Sequence, residues 1–468
     1  LLVLYSAFIL MRQQMEADLV VLKFGGSSVA EVAHWNTIGK CVQNQLDKGN
    51  RPLLVLSALR NVSNLLEALL HQALSGVYIR AVNHLRELHN GFASQLGLNI
   101  HQSLEPWFIQ LESDCEAINS SHTISPKLHA RVLAIGELLS TTIGSEFLTQ
   151  QGFDVCWQDA RDILKSGDKS DPWHHYTSAQ CDYQPNKLNE LNLFPNWQSL
   201  TPIIVTQGFI ASDKHQDTVL LGREGSDTSA SYLAALLKAQ KLEIWTDVTG
   251  VFSANPKEIP NALQLPNLSY RQASLMARFG AKVLHQRAMQ PMAENSIDIN
   301  VRCTSDPEHP GTFISDRGAE NLPIVAVVVE SDICQIKFAK FGCDSERSQF
   351  RQSITKFGYD TLLKYLTDSQ EHWLLNYTNS DLAQPESREI QGLIRNRLSI
   401  NSNCALVTLI GEPRKLLWKA KAMDFIRQWN SSEILDIYPN KRNDRLSILL
   451  TSDNYLDFYQ KLHQSVIG

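Results

Sequence analysis

Two runs near the start of the chain, DLVVLKF at 18–24 and RPLLVLSA at 51–58, are apolar at nearly every position instead of every second one. A strand that is apolar on both faces must be covered on both faces, as a parallel strand between two layers of helix is. Each run ends in turn residues and passes into helical periodicity. Gly25-Gly26-Ser27-Ser28 opens a helical stretch that reaches Asp47 and is closed by Lys48-Gly49-Asn50; NVSNLLEALL opens another, with Asn61 or Ser63 as its N-cap. The alternation continues through a long helix over 131–152 stopped by Gly152, the strand FDVCWQD, PIIVTQGFI at 202–210, TVLLG at 218–222, a helix from Ser226, and LEIWTD at 242–247. Strands and helices taken in turn make the expected fold class α/β, with a mainly parallel sheet inside an αβα sandwich.

After Pro323 the units shorten. IVAVVV, ICQIKF, a helical stretch near 346–366, HWLLNY and the helix PESREIQGLIRNRL form one set. CALVTLIG at 404–411, a helix to about Trp429, EILDIY, RLSILLT and LDFYQKLHQ form a second. Two β-α-β-β-α-like sets in succession predict two small α+β modules, possible as neighbours or interleaved. The 468 residues, at roughly 150 per domain, leave room for both beside a larger domain. At the other end, LLVLYSAFIL is too short to span a membrane and lacks the flanks of a signal peptide. The chain begins with Leu, so Met11 or Met15 is the expected start, and residues 1–17 are read as an extension outside the fold.

Charge and cysteine content narrow the function. Lys plus Arg number 43 against 49 acids, a net charge of −6, which gives no general attraction to nucleic acid or anionic membrane. None of the eight cysteines is spaced as CxxC and no HExxH occurs, so no metal site of the zinc type is expected. Thiols such as Cys156 and Cys404 lie in apolar strings and read as buried and reduced, which points to the cytoplasm.

Chemistry is concentrated where strands meet helices. Lys23-Phe24-Gly25-Gly26-Ser27-Ser28 combines a cation, two residues that let backbone approach an anion, and a helix start whose free N–H groups favour negative charge. It is neither a GxxxxGK[ST] loop nor a GxGxxG loop. Gly222-Arg223-Glu224-Gly225-Ser226-Asp227 repeats the strand-to-helix setting. There Arg223 could hold a carboxylate or phosphate and Asp227 an ammonium, or Ser226 and Asp227 could simply cap the helix. Thr246-Asp247, ahead of Asn255-Pro256-Lys257, fits either a nucleoside contact or an Asx turn. Lys282, in Gly280-Ala281-Lys282-Val283-Leu284-His285, could reach a phosphate or lie in solvent; Glu137, between Gly136 and Leu138, could face solvent or a cleft.

Taken together and in order, KFGGSSV (23–29), VLSALRNVSN (55–64), GELLST (136–141), LGREGSDTSA (221–230), IWTDVTGVF (244–252) and GAKVLH (280–285) resemble the aspartokinases of the amino-acid kinase family over roughly 19–467. The resemblance implies a kinase domain over 18–310, then ACT-like regulatory modules at 320–400 and 401–468. It implies transfer of phosphate from ATP, with Mg²⁺ held mainly through the phosphates, to the β-carboxylate of L-aspartate. It assigns Lys23 and Asp227 to catalysis. Ser57, Glu137, Arg223 and Ser226 fall to aspartate, and Gly25, Gly26, Ser27, Thr246, Asp247, Lys257 and Lys282 to ATP. It also implies a homodimer through the ACT modules, with lysine or threonine as effector. The alternative is a non-catalytic amino-acid-binding regulator of the same descent. Five residues depart from the family pattern: Glu224 replaces a glycine, Gln272 a glutamate, Gln286 a proline, Asn255 an aspartate and Lys257 an arginine. The Asn255 variant resembles the branch fused to diaminopimelate decarboxylase. The segment that often binds effector in the family corresponds to Leu-Leu-Asn-Tyr-Thr-Asn-Ser-Asp at 374–381.

Overall fold

A computed structural model describes residues 18–169, 171–184, 203–281, 286–318, 323–341, 343–356, 359–377, 397–415, 417–429 and 432–467. The chain divides into two compact units: Leu1–Val251 with Pro266–Tyr270 and Leu284–Asp316, and Phe252–Leu265 with Arg271–Val283 and Arg317–Gly468.

The first unit is the α/β sandwich. Its strands are β1 (Leu19–Phe24), β2 (Arg51–Leu56), β3 (Val155–Trp157), β4 (Ile203–Gln207), β5 (Ile210–Ser212), β6 (Thr218–Leu220), β7 (Lys241–Thr246), β8 (Asn267–Ser269), β9 (Asp298–Cys303) and β10 (Thr312–Ser315). Eight of these form one sheet in the order β3-β4-β2-β1-β7-β9-β10-β8, parallel in every pairing except β9 with β10; β5 and β6 make a separate antiparallel pair. Every residue of β1 is buried, as its unbroken apolar run requires, and Lys23 is buried with the rest. The helix Pro126–Gln150 begins before the expected residue 131, because Ser125 caps it (its Oγ accepts from Leu128 N at 3.2 Å) and Pro126 fills its first turn without wasting a donor. Asn61 occupies the N-cap of Val62–Leu74, but in a left-handed conformation and with no side-chain cap bond. Helices Ile79–Gln95 and His101–Ser121 occupy a stretch for which the sequence reading proposed no element.

The second unit carries a six-stranded antiparallel sheet in the order β12-β13-β11-β14-β16-β15. Its strands are β11 (Ile324–Ala339), β12 (Tyr359–Leu366), β13 (Gln370–Tyr377), β14 (Arg397–Gly411), β15 (Ile434–Pro439) and β16 (Arg445–Thr451). The two sets of elements therefore share one sheet, joined along β11 and β14. Two sequence expectations change here. IVAVVV and ICQIKF are one strand, joined through register shifts between Glu330 and Gln335; the polar Glu330-Ser331-Asp332 makes an irregularity, not a loop. The expected helix over 346–366 is a helix, Asp344–Lys356, followed by β12. In β12 a register shift between Thr361 and Leu363 breaks the alternation and buries Tyr359, Leu362 and Leu363. That spacing imitates the i, i+3, i+4 pattern of a helix. Residues 385–396 of the helix expected at PESREIQGLIRNRL lie outside the described residues, as does 378–381 of the effector-like segment, and its last two residues, Arg397 and Leu398, open β14 instead.

The segment Phe252–Leu265 is built into this second unit. Ala254 and Ile259 belong to a core with Val407, Trp418, Phe458 and Leu462. Ser253 Oγ lies 2.9 Å from His463 Nε2, and Asn255 N donates to Tyr459 Oη at 2.9 Å. Gly280 sits at φ +121, where a Cβ would fall 1.9 Å from the Val329 carbonyl oxygen, so no other residue fits. All eight cysteines are free; Cys343 is exposed, Cys156 half-buried, and the rest buried. Among the described residues no helix is long and apolar enough to cross a membrane.

Candidate active site

The parallel strands β1, β2, β4 and β7 end at one level, and the hydrogen-bond ladder runs on past their last residues: Ser57 N donates to Phe24 O (3.1 Å), Gly208 N to Leu56 O (2.9 Å) and Gly25 N to Trp245 O (3.2 Å). This edge therefore gathers Lys23–Gly26, Ser57–Ala58 and Thr246–Asp247 from positions far apart in sequence. In open parallel sheets the carboxyl ends of the strands are where ligands bind.

Opposite Lys23 stands the helix Gly225–Leu236. Its N-cap is Glu224, in left-handed conformation (φ +52) and with no side-chain cap bond, so the expectation of Ser226 or Asp227 as cap is corrected. Both lie instead in the first turn, which frees the Asp227 carboxylate to meet the Lys23 ammonium at 2.5 Å. Both side chains are largely shielded, at 11% and 7% exposure.

The second buried carboxylate is Glu137. It does not emerge on a polar helix face: it is 3% exposed. Gly136 makes this placement possible, because a Cβ there would lie 2.9 Å from Ala58 Cβ and hold the helix off the β2 loop. With the helix close, Glu137 Oε1 accepts from Ala58 N at 3.3 Å, while the buried Oε2 has no protein hydrogen-bond partner. Burial pushes the carboxyl up to about 8, the Ala58 N–H opposing it. An enclosed carboxylate with one unused oxygen is suited to an ammonium group.

The remaining expected site residues are distributed as follows. Ser27, Ser57, Ser226 and Thr246 are half-buried; Arg223, Glu224 and Asp247 are exposed. Arg60 lies 3.6 Å from Asp247. Lys257 is exposed in the second unit, its backbone N donating to Asn255 Oδ1 at 3.1 Å. Lys282 is outside the described residues. Among the described residues there is no group of three or more His, Cys, Asp or Glu side chains arranged to hold a metal ion. Sequence reading missed Thr304, whose hydroxyl meets that of Ser28 at 2.7 Å; no local motif marks it.

These features have counterparts in known proteins. The model of the amino acid kinase family matches residues 18–304. The chain belongs to the amino acid kinase family. Within that family its relatives are aspartokinases. The lysine-sensitive aspartokinase 3 of Escherichia coli (strain K12) is 31% identical over 66% of this chain and 66% of its own length. A bifunctional aspartokinase/homoserine dehydrogenase of Buchnera aphidicola is 30% identical over 67% of this chain and 38% of its own length. The aligned stretch thus spans just under two thirds of the first relative and under half of the second. The crystal structure of E. coli aspartokinase III in complex with aspartate and ADP (R-state) superposes with a TM-score of 0.82 at 25% identity, covering 96% of this chain and all of that one.

Proposed function

We propose that the protein is an aspartate kinase, transferring the γ-phosphoryl group of ATP to the β-carboxylate of L-aspartate to give 4-phospho-L-aspartate and ADP. The observation that carries the reading is the pairing, at one sheet edge, of a shielded Lys23–Asp227 ion pair with a buried carboxylate, Glu137, that has an unused oxygen. The E. coli relative solved with aspartate and ADP supports it.

The chemistry needs little from the protein besides placement. The attacking carboxylate, with an ordinary pKa of about 3.9, is already ionised at neutral pH and requires no general base. What remains is to bring two anions together and to neutralise the charge that develops on the phosphoryl group. In this reading Lys23 exchanges Asp227 for phosphate oxygens, and the Gly25-Gly26-Ser27 backbone borders the same phosphates. Asp227 keeps the ammonium aimed between turnovers. Glu137 receives the substrate ammonium and Arg223 its α-carboxylate, with Ser57 and Ser226 beside them. Thr246, Asp247, Lys257 and Lys282 serve the nucleotide. The residues present fit a polyphosphate: a shielded cation stands next to a glycine turn whose second Cβ position lies 3.0 Å from a carbonyl and whose first faces the Lys23 ammonium at 3.5 Å. Mg²⁺ bound through the phosphates would supply further charge neutralisation. The second unit is proposed as two ACT-like modules, at 320–400 and 401–468, that form a homodimer and sense lysine or threonine; the lysine-sensitive relative favours lysine. The chain is assigned to the cytoplasm.

The test is ATP-dependent acyl-phosphate formation from L-aspartate, trapped with hydroxylamine, with and without lysine and threonine. Turnover on aspartate is expected. A folded protein that binds ATP yet phosphorylates no amino acid, even after Glu224→Gly, would favour the non-catalytic regulator.

A further inference from the structure

The glycine turn after β1 is short and lacks a cap of its own: the helix that follows it is the single turn Gly26–Val29, with Gly25 at the N-cap and no side-chain cap bond. A turn of this composition is mobile unless something outside it holds it. The attachment comes from two strands away. Ser28 is 1% exposed, and its hydroxyl lies 3.2 Å from the Trp245 carbonyl and 2.7 Å from the Thr304 hydroxyl. Thr304 is also 1% exposed and follows directly on β9, whose last residue, Cys303, pairs with Thr246 at the end of β7. Thr304 is itself fixed by its backbone N, which donates to Thr246 O at 2.9 Å.

Proton accounting orders the contacts. A serine hydroxyl has one proton and two lone pairs. The Trp245 carbonyl can only accept, so Ser28 donates to it, and the Ser28 oxygen then accepts from Thr304. The same carbonyl takes the Gly25 N–H. Both ends of the turn thus converge on one oxygen at the tip of β7, and Thr304 completes the set. On the other side the turn is pressed against the Ala58 carbonyl, 3.0 Å from the Gly26 Cβ position.

We infer that Thr304 is a positioning residue for the nucleotide phosphates, acting through Ser28 to hold the Gly25–Ser28 turn in the conformation that phosphate binding needs. The inference rests on the reading of that turn as the phosphate site. The residue touches neither substrate; it makes the turn rigid before the ligand arrives, and so removes an ordering cost from binding and from the transfer step. Neither the turn nor the neighbourhood of Thr304 signals the pair, because 276 positions separate the two hydroxyls.

The test compares Thr304→Val, which keeps the shape and deletes the hydroxyl, with Thr304→Ser, which keeps the hydroxyl. It uses the full chain, and measures ADP affinity by calorimetry, kcat and both KM values, and the thermal midpoint. The expected result for Thr304→Val is a five- to twenty-fold loss in ADP affinity and in kcat/KM for ATP. The KM for aspartate should stay within two-fold, and Thr304→Ser should behave as the parent. Parental ADP affinity in Thr304→Val overturns the inference. So does an equal loss in both variants accompanied by a lowered midpoint, which would mark the pair as packing alone. The ADP measurement does not depend on the phosphate acceptor. Weakened ADP binding in Thr304→Val alongside a parent inactive on aspartate therefore sustains the inference while sinking the aspartate reading.

Discussion

Two buried glutamates, Glu137 in the first unit and Glu371 in the second, are treated in opposite ways. Glu371 in the second unit is fully buried and every oxygen is used: Oε1 accepts from Arg347 at 2.8 Å, and Oε2 accepts from the Trp373 indole at 3.2 Å with Lys364 at 3.4 Å. Burial pulls its carboxyl up, but the Arg347 hydrogen bond, the Trp373 bond and the Lys364 charge outweigh it and hold the group below the usual carboxylate range. Glu137 in the first unit has one backbone N–H and nothing on its second oxygen, and burial wins. Glu371 is surrounded by donors, whereas Glu137 carries an unmet demand that suits the ligand role proposed for it.

The comparison can be broken in four places. The largest effect is expected at Lys23: Lys23→Ala should lower turnover about 10³-fold, the scale of losing one preorganised charge contact, while circular dichroism shows a folded chain. Near-normal turnover would remove Lys23 from the site. Next is Glu371→Ala, which leaves Lys364 without its counter-charge and Arg347 with only the exposed Asp344. Arg347 and Lys364 side chains are 28% and 21% exposed and can rehydrate in part, so the expected loss is about 2–3 kcal/mol in chemical denaturation, toward the low end for a broken buried pair. No loss would mean that the donors around Glu371 contribute little.

Third, Glu137→Gln should raise the KM for aspartate about ten-fold, as expected for a lost charge-assisted contact, without destabilising the fold. Its pH behaviour sharpens the point. The folded carboxyl is raised above its unfolded value of 4.5 to about 8, so between those limits the native state binds the extra proton. Stability therefore falls as pH rises from about 5 to 8. Glu137→Gln should flatten that slope, whereas Glu371, depressed in the fold, contributes stability that is lost only as pH falls. Thermal midpoints across pH 5–8 that decline equally in parent and Glu137→Gln would contradict the assignment. The smallest effect is at Glu224, an exposed side chain at φ +52. Glu224→Gly should add about 1 kcal/mol by relieving the left-handed backbone.

The parts of this molecule written in local pattern could be read from sequence. The all-apolar β1 and β2 announced a doubly covered sheet, and Lys23, Gly25 and Asp227 were marked by their position between strand and helix. What escaped depended on partners distant in the chain. The bulge in β12 turned a strand into an apparent helix because sheet neighbours, absent from any local window, decide which side chains are buried. Glu137 could not be resolved between cleft and solvent, since its direction is set by the approach of Ala58 to Gly136. Thr304 had no signal at all, because a lone threonine after a strand has no distinguishing chemistry until Ser28 is placed beside it.

The threading of the chain between its two units also bears on how such a protein can be taken apart. The family-matched stretch, 18–304, runs through Phe252–Leu265 and Arg271–Val283, which belong by packing to the second unit. A fragment ended near residue 310 would keep Ala254 and Ile259 but lose Trp418, Phe458 and Leu462 from around them. The two units are therefore not interchangeable cassettes. Recombination or gene fission at a single point between them would leave one partner with an unfilled core and the other with loose apolar chain. An exchange of the second unit between relatives would have to carry both earlier segments with it.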